Sequence, residues 1–337
     1  MSTPLLRPRL RELLELAKGK RILVVGDAML DVYLAGDVNR ISPEAPVPVV
    51  RVRSRTHALG GAANVAQNVV AIGAECDLVA TVGADTSGER LRSMVRALGA
   101  TDDGLLTVER CTTVKTRILA RSQQLVRVDE EEDADLTAAE SLGLMERIRR
   151  AMTYADAVVL EDYNKGVLVA DLIAQVMRMA AERALPIVVD PKYRNFFHYR
   201  NATVFKPNVR ELEAALGAAV DVDHPQTLPA TLGRLAVENI LLTLGERGMV
   251  LLSKDGAVVR IGAVARQVYD VVGAGDTVTA YLAAILAAGG TATEAALIAN
   301  VAAGIEVGKL GAATVTASEV LEYAESHMLA IEPPTVS

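Results

Sequence analysis

The chain reads Tyr269-Asp-Val-Val-Gly-Ala-Gly-Asp-Thr277 directly before an apolar, alanine-rich stretch at residues 278–288. Small residues ahead of a helix leave backbone N–H groups free to point at one anion, and the helix dipole favours negative charge there. Asp276 stands at that helix start, where a carboxylate can accept a proton from a hydroxyl group that attacks a phosphoryl group. Taken alone, the same letters also fit a glycine turn in which Asp276 is the N-cap of the helix.

Short runs of β-branched and aliphatic residues recur along the chain and predict buried strands. They are continuous rather than alternating in polarity, as expected of strands covered on both faces. The predicted strands span residues 22–25, 76–82, 157–160, 186–190, 203–205 and 239–243. Helical patterns lie between them at residues 64–72, 88–98, 137–152, 170–184 and 209–216. This alternation predicts an α/β fold, with a doubly wound, mostly parallel sheet and helices on both faces.

Two stretches interrupt this rhythm. Residues 47–52 and 112–128 show strand-like alternation, with basic residues on one side. That pattern predicts an antiparallel flap laid over the main sheet. The chain has no internal repeat and no linker rich in Pro or Ser. We therefore expect a single domain, 1–337, with a small β-strand lid formed by about 33–58 and 112–130.

The composition of the 337 residues excludes several classes of protein. Hydrophobic residues make up 51% and charged residues 23%, as in soluble globular proteins and unlike disordered chains. The net charge is −7 and only 3% of residues are aromatic, which argues against a nucleic-acid partner. The two cysteines, Cys76 and Cys111, form no CxxC motif, so we expect no structural zinc site or disulfide framework. No apolar run reaches the roughly 18 residues of a membrane span, so we expect a cytoplasmic protein without membrane contact.

Three further segments combine small or polar residues with the ends of predicted strands. Gly60-Gly61-Ala62-Ala63-Asn64 places glycines before a helix, with an amide that can bind a polyol or simply cap the helix. Gly26-Asp27 and Asp31 follow the first strand, at the sheet edge where ligands of parallel sheets bind. Lys206-Pro-Asn-Val-Arg-Glu211 follows another strand, and its Asn and Glu suit a Mg²⁺ ion bound through water. Each segment alone has a structural explanation, but their shared edge lets them converge.

Two of these segments resemble the signatures of a known enzyme family. Gly60-Gly61-Ala62-Ala63-Asn64 and Asp270-Val-Val-Gly-Ala-Gly-Asp-Thr277 are similar to the two signatures of the ribokinase-like (phosphofructokinase B) sugar kinases. Asp190-Pro-Lys192, Lys206-Pro-Asn208 and Leu242-Thr-Leu-Gly-Glu-Arg-Gly248 lie between them in the order typical of the family. The resemblance covers essentially the whole chain. It implies a ribokinase-like fold and an ATP-dependent carbohydrate kinase that uses Mg²⁺.

Five further motifs resemble one branch of this family, the D-glycero-β-D-manno-heptose 7-phosphate kinases. They are Gly26-Asp-Ala-Met-Leu-Asp31, Arg40-Ile-Ser-Pro-Glu-Ala-Pro-Val-Pro48, Ser122-Gln-Gln-Leu-Val-Arg127, Asp162-Tyr-Asn-Lys-Gly166 and Val307-Gly-Lys-Leu-Gly311. The resemblance implies phosphorylation of the C1 hydroxyl of heptose 7-phosphate, giving heptose 1,7-bisphosphate for ADP-heptose and the lipopolysaccharide core. Such kinases often carry a fused adenylyltransferase. The chain ends at Ser337 without room for one, so we expect the stand-alone form.

The resemblance also implies roles for individual residues. Asp276 would be the catalytic base. The anion hole would be formed by the amides of Gly273, Ala274 and Gly275. The residues implied in substrate binding are Asp31, Gly60, Gly61, Asn64, Asp162, Lys165 and Lys192. Those implied in nucleotide binding are Asn208, Glu211, Thr243, Gly245, Gly248, Asn300 and Gly304. Asn208 and Glu211 also match a Mg²⁺ site held largely through water.

Basic residues of the predicted lid are candidates for binding the phosphate that the substrate already carries. Arginine presents a planar fork that suits a phosphate group, although a solvated strand face gives the same pattern. The candidates are Arg117, Arg121, Arg127 and Lys165. The acidic run Glu130-Glu-Glu-Asp133 is expected to be a solvated turn. The edge strands of the predicted lid would expose unpaired backbone groups. We therefore also expect a homodimer in which the lids of two subunits pair.

Several alternative functions have less support in the sequence than a sugar kinase. A dinucleotide-dependent oxidoreductase lacks its G-x-G-x-x-G after a strand. Gly304-Ile-Glu-Val-Gly308-Lys309 is no phosphate P-loop, because it has three intervening residues and Leu310 in place of Ser or Thr. Asp276 with both glycines argues against a non-catalytic sugar-binding protein. A kinase of another sugar or sugar phosphate is the nearest alternative, since lid residues set that choice. Val271 replaces the Thr of many family members, which leaves a monovalent cation requirement open.

Overall fold

The strands of the chain assemble into two sheets. The structure, a computed structural model, describes residues 7–120, 123–224, 229–264, 269–309, 311 and 313–326. With strands numbered along the chain, the larger sheet contains β1 (Arg21–Gly26), β4 (Glu75–Gly83), β5 (Leu105–Val108), β8 (Ala157–Glu161), β9 (Ile187–Asp190), β10 (Val204–Phe205), β11 (Asn239–Thr243), β12 (Met249–Ser253) and β13 (Val258–Ile261). Their spatial order is β13-β12-β11-β10-β9-β8-β1-β4-β5. Of these neighbouring pairs only β11–β12 and β12–β13 are antiparallel, which confirms the mostly parallel sheet.

Helices cover both faces of this sheet. They are α1 (Arg7–Ala17), α2 (Ala62–Ile72), α3 (Thr86–Ala97), α4 (Ala138–Met152), α5 (Ala170–Glu182), α6 (Val209–Leu216), α7 (Pro229–Leu235), α8 (Ala274–Ala287), α9 (Ala292–Glu306) and α10 (Ala317–Ser326). In β1, Ile22 and Val24 join the core that contains α1 to α3 and α8 to α10. Leu23 and Val25 face the second core, which contains α4 to α7. Burial of each such side chain contributes roughly 1.5–3 kcal/mol, which explains why residues 22–25 of β1 are all apolar. The doubly wound prediction is confirmed.

A second sheet of four strands, which we call the flap, has the order β3-β2-β6-β7. It consists of β2 (Ala28–Ile41), β3 (Pro48–Gly61), β6 (Val114–Ala120) and β7 (Gln123–Glu130). The β2–β3 and β6–β7 pairs are antiparallel, whereas β2 and β6 run parallel. The prediction of an antiparallel flap is therefore wrong for the central pair. Both central strands leave the larger sheet after a parallel strand, β1 or β5, and so start in the same direction.

The flap is attached at the carboxyl edge of the larger sheet. Strand β2 begins one residue after Asp27, and β3 ends where α2 begins. The backbone N–H of Ala62 donates to the carbonyl of Asp27 at 3.0 Å, which closes the base of the flap. Within the described ranges, no helix is both long and apolar enough to cross a lipid bilayer.

Candidate active site

The candidate site lies where the parallel strands of the larger sheet end. Glu161 is the last residue of β8, Asp190 is the last residue of β9, and Lys206 follows β10. Asp276 reaches the same place from the first turn of α8, and all four side chains are buried. Carboxyl ends of neighbouring parallel strands share one edge, so residues far apart in the sequence meet there.

The start of α8 has the features of an anion-binding site. Gly273 precedes the helix with φ of 96°, a left-handed conformation that favours glycine. The first N–H groups of a helix have no partner within the helix. The amide of Ala274 makes only a long contact of 3.5 Å with the Val271 carbonyl. A Cβ atom on Gly275 would lie 3.6 Å from Lys206 Nζ, so an ammonium group adds to the positive field at this helix end.

Asp276 is the third residue of α8 and not its N-cap, so the capping interpretation is wrong. Its two oxygens each accept one hydrogen bond, from Asn64 Nδ2 at 2.6 Å and from the Tyr163 hydroxyl at 3.1 Å. Burial raises the pKa of Asp276 to about 6. Asn64 likewise lies inside α2 and does not cap it, and its amide is directed to Asp276.

Three buried carboxyl groups share this pocket. Oxygens of Glu161, Asp190 and Asp276 all lie within 4.8 Å of one another. Burial and the charges of Asp190 and Asp276 raise the pKa of Glu161 well above its usual range. Asp190 accepts a hydrogen bond from Lys206 Nζ at 2.8 Å. Although burial acts in the opposite direction, Lys206 and Lys192 lower the pKa of Asp190. The site thus keeps Asp190 ionised and favours a protonated Glu161.

The two glycines of the Gly60–Asn64 segment make room for neighbouring acidic residues. A Cβ atom on Gly60 would lie 2.8 Å from Asp31 Oδ2. Gly61 has φ of 56°, and a Cβ atom there would lie 2.3 Å from the Asp27 carbonyl oxygen. The segment therefore brings the flap strand β2 close to the start of α2, which explains why both positions need glycine.

The buried Asp31 on β2 forms an ion pair with the partly buried Arg117 on β6, with 2.5 Å between Oδ1 and the guanidinium. The Arg117 guanidinium also lies over the Tyr33 ring, 5.3 Å from its centroid. The hydroxyl of Tyr33 is buried and has no hydrogen-bond partner among the described residues. This corner of the flap thus offers a fixed carboxylate and an unsatisfied hydroxyl to a polar ligand.

The other basic candidates are arranged differently. Lys165 Nζ pairs with Glu131 at 2.7 Å. Lys115, which was not among the candidates, pairs with the same carboxylate at 2.9 Å. Arg127 lies on the exposed strand β7 and pairs with Asp129, and Arg121 lies outside the described residues. The expectation of a solvated turn at residues 130–133 is wrong for Glu131, because it bridges two lysines at the base of the flap.

The Asp27 side chain binds the backbone of the loop that follows β8. The Asp27 carboxylate accepts backbone N–H groups of Tyr163, Lys165 and Val167 at 2.7, 3.0 and 3.2 Å. The Asp162 carboxylate accepts a hydrogen bond from the Tyr199 hydroxyl at 2.6 Å. Burial raises the pKa of Asp162 to about 6. The structure thus directs Asp162 into the protein, whereas the implied role placed it at the substrate.

On the other side of α8 lies a cavity of about 520 Å³. It is lined by six of the seven residues implied in nucleotide binding, namely Asn208, Thr243, Gly245, Gly248, Asn300 and Gly304. Ala274 and Gly275 also line it, so it reaches the helix start described above. Val271 lies on its wall, and the Asn300 amide is tied to the Gly262 carbonyl at 2.9 Å. The cavity is of a size that holds a small-molecule ligand.

Asn208 and Glu211 cap α6 together. The Asn208 side chain accepts the Glu211 N–H, and the Glu211 carboxylate accepts the Asn208 N–H, both at 2.9 Å. Glu211 also pairs with Lys192 Nζ at 2.5 Å. The amide and carboxylate oxygens are of the type that Mg²⁺ prefers. With these bonds already made, the pair fits a hydrated cation held through water.

Four groups of the pocket were absent from the predicted site: Glu161, Tyr163, Asp190 and Lys206. Asp190 ends a predicted strand and Glu161 directly follows one, so a search for polar residues at strand ends would have found both. Lys206 stands in a motif quoted above, beside residues that were selected. Tyr163 also stands in a quoted motif, Asp162-Tyr-Asn-Lys-Gly166, but its contact with Asp276 depends on how that loop folds over Asp27, which the motif does not reveal.

Comparison with known proteins places these features in one family. The model of the pfkB family carbohydrate kinases matches residues 20–319. The chain is 43% identical over 317 residues to the bifunctional protein HldE of Rhodospirillum rubrum, covering 93% of this chain and 64% of that protein. It is 44% identical over 301 residues to the bifunctional protein HldE of Coxiella burnetii, covering 89% and 62%. The chain therefore spans less than two thirds of the length of these relatives.

Solved structures show the same fold at lower identity. The Arabidopsis thaliana ribokinase complexed with ribose and ATP aligns with a TM-score of 0.71 at 20% identity, covering 90% of this chain and 98% of that one. The Escherichia coli phosphofructokinase-2 in complex with substrates and products aligns with a TM-score of 0.75 at 17% identity, covering 91% and 99%. These likenesses confirm the ribokinase-like fold.

Proposed function

The chain belongs to the pfkB family of carbohydrate kinases, and on that premise we propose that it phosphorylates the C1 hydroxyl of D-glycero-β-D-manno-heptose 7-phosphate. The γ-phosphoryl group of ATP is transferred, and the products are heptose 1,7-bisphosphate and ADP. The product would serve ADP-heptose and lipopolysaccharide core synthesis in the cytoplasm. The observation that carries the proposal is the buried Asp276, placed between the 520 Å³ cavity and the Gly60–Asn64 segment.

Asp276 acts as the general base in this proposal. The anomeric oxygen attacks the γ-phosphorus in line with the bond to the β-phosphate, and its proton passes to an Asp276 oxygen. The new bond joins O1 to phosphorus, and the bond from phosphorus to the bridging oxygen breaks. A carboxyl pKa of about 6 suits the task, since the group is mostly ionised at neutral pH yet basic enough to accept a proton.

Charge on the transferring group is balanced by the start of α8. In this proposal the N–H groups of Gly273, Ala274 and Gly275 form the anion hole, which is supported by the position of Lys206 Nζ beside Gly275. Because these donors are fixed before the reaction, they need no reorganisation as charge develops. A Mg²⁺ ion, when bound, supplies further charge neutralisation on the nucleotide phosphates. Asn208 and Glu211 are the residues that would hold it through water.

The flap supplies the sugar side. The Asp31 carboxylate, held by Arg117, is placed to accept hydrogen bonds from sugar hydroxyls. Lys115 and Lys165 lie together at the base of the flap and would bind the distal phosphate. Two supports favour the heptose phosphate over other sugars: the five motifs that resemble heptose 7-phosphate kinases, and the 43% identity with HldE proteins.

The experiment that tests the proposal is an ADP-release assay with Mg·ATP across a panel of sugars. The panel holds heptose 7-phosphate, unphosphorylated heptose, fructose 6-phosphate, ribose and hexoses. We expect kcat/KM for heptose 7-phosphate to exceed every other value by at least about tenfold, since a charge-assisted contact contributes that much. If the enzyme preferred a neutral sugar or fructose 6-phosphate, that sugar, and not heptose 7-phosphate, would be its substrate. Repeating the assay in K⁺ and in tetramethylammonium salts tests the monovalent cation requirement.

We also propose that the protein is a homodimer paired through the flap. The flap carries exposed apolar side chains, at Val52 on β3 and at Val126 and Val128 on β7. Strand β7 is an edge of its sheet, and no other described strand pairs with its outer side. Pairing two flaps would cover both features.

A further inference from the structure

Two hydrogen-bond donors hold the carboxylate of Asp276, one on each oxygen. Asn64 belongs to a segment that resembles a family signature, and its Nδ2 lies 2.6 Å from Oδ2. Tyr163 lies between Asp162 and Lys165 in a quoted motif but was assigned no role there, and its hydroxyl lies 3.1 Å from Oδ1. A carboxylate with one donor on each oxygen has a fixed plane, so its remaining lone pairs point in set directions.

Tyr163 is itself held rigidly. Its backbone N–H donates to Asp27 Oδ2 at 2.7 Å, in the group of three N–H bonds that Asp27 accepts. Its ring lies under Lys192 Nζ, at 4.9 Å from the ring centroid. Asp27 thus fixes the backbone of Tyr163, and the Tyr163 side chain extends from that fixed point to Asp276, so two hydrogen bonds joined by one side chain connect the end of β1 to the carboxylate.

We propose that Tyr163 is a positioning residue for the phosphoryl transfer, whose phenol keeps the Asp276 carboxylate ionised and aimed at the attacking hydroxyl. The inference rests on the proposed function, in which Asp276 is the base. It adds that the orientation of the base is set by the loop after β8 as well as by the Gly60–Asn64 segment. Tyr163 gives up no proton, because burial raises the pKa of its phenol well above 10.

The sign of the effect on Asp276 follows from the groups that face it. Burial and the negative charge of Asp190 raise its pKa, and Lys206 and the bonds from Asn64 and Tyr163 lower it. The other ionisable groups that interact with Asp276 are Glu161 and Glu306, and burial raises the pKa of both. Removal of the Tyr163 hydroxyl therefore raises the pKa of Asp276, so the base is lost at a higher pH.

The decisive variant is Tyr163→Phe, which keeps the ring and its contact with Lys192. We expect the acid limb of the kcat/KM profile to move up by about one pH unit, with the KM for ATP unchanged. Tyr199→Phe is the matched control, since Tyr199 is another tyrosine whose hydroxyl donates to an aspartate, at 2.6 Å from Asp162. Its acid limb should stay at the wild-type position. An unmoved limb in folded Tyr163→Phe overturns the inference.

A second replacement of Tyr163 should move the acid limb of the pH profile in the opposite direction. Site-specific Tyr163→3-fluorotyrosine keeps the size of the side chain and makes the phenol a stronger donor, so the acid limb should move to lower pH. This variant decides the matter if the phenylalanine variant does not fold, and an unchanged limb overturns the inference there too.

A ¹³C carboxyl titration of the substrate-free protein reports the pKa of Asp276 without turnover, with Asp276→Asn to assign the signal. A wild type inactive on every sugar would refute the proposed function. A carboxyl pKa that is the same in wild type and in the folded Tyr163 variants would refute the positioning role alone.

Discussion

The nucleotide side and the sugar side of Asp276 are formed by different kinds of chemical groups. On the nucleotide side, the 520 Å³ cavity is lined mostly by glycines, alanines and valines, and the helix start presents backbone N–H groups. On the sugar side, the flap presents charged side chains that are already paired with one another, such as Arg117 with Asp31 and Lys165 with Glu131.

This difference sets what each side can do. A surface made of backbone and small side chains keeps its shape when the ligand leaves, and it recognises phosphates through fixed dipoles. A surface made of ion pairs must exchange internal partners for ligand groups, so its selectivity depends on how tightly those partners hold. We therefore expect substitutions on the flap to change the choice of sugar and to leave nucleotide binding intact.

The largest effect is expected where the two sides meet. Asp276→Asn keeps the shape of the side chain and removes the base, so turnover should fall by at least about a hundredfold. Nucleotide affinity, measured by calorimetry with ADP, should change by less than about threefold because the cavity is untouched. Turnover within a few-fold of wild type would remove Asp276 from the role of base.

The next effect tests the flap alone. Arg117→Ala leaves the buried Asp31 without its partner and removes a charge-assisted contact of about 1.5–3 kcal/mol. We expect kcat/KM for heptose 7-phosphate to fall about ten- to a hundredfold, while the KM for ATP stays within about twofold. Arg53→Ala is the matched control, because it removes another flap arginine whose partner, Asp37, is exposed. Equal losses in both variants would mean that the flap acts only as a scaffold.

The same difference governs how much could be predicted from the sequence. The glycine segments were found because each has a local pattern of residues, and the buried strands were found because they are mostly apolar, whereas Glu161 and Asp190 at the strand ends were overlooked. Strands β5 and β13 were not predicted because each is a four-residue strand at the border of the sheet. Strand β12 was also missed, although it carries the continuous apolar run Met-Val-Leu-Leu. The parallel β2–β6 pair, and the bridge from Glu131 to two lysines, depend on tertiary pairing that no local pattern encodes.

A third prediction concerns the outer face of the flap. Val126 is an exposed apolar residue on the edge strand β7, and Val126→Asp should place a charge in the proposed dimer interface. Sedimentation at micromolar concentration should shift toward monomer, and the KM for the sugar should rise a few-fold. Leu142→Asp, at an exposed apolar position on α4, is the matched control and should stay dimeric. A monomeric wild type would reject the dimer.

The smallest expected effect tests most directly whether a substrate phosphate displaces an internal ion-pair partner on the flap. Glu131 bridges Lys115 and Lys165, so a substrate phosphate must compete with its carboxylate for the two ammonium groups. Glu131→Gln frees Lys165 and leaves Lys115 with only its Asp129 contact at 3.2 Å. Because partly exposed ion pairs are worth about 0.2–1 kcal/mol, the KM for heptose 7-phosphate should fall by up to about fivefold. Glu130→Gln removes an adjacent exposed carboxylate and should leave KM within experimental error. A KM that rises in Glu131→Gln would mean that the carboxylate holds the lysines in place for the phosphate, and the flap would then be as preorganised as the nucleotide side.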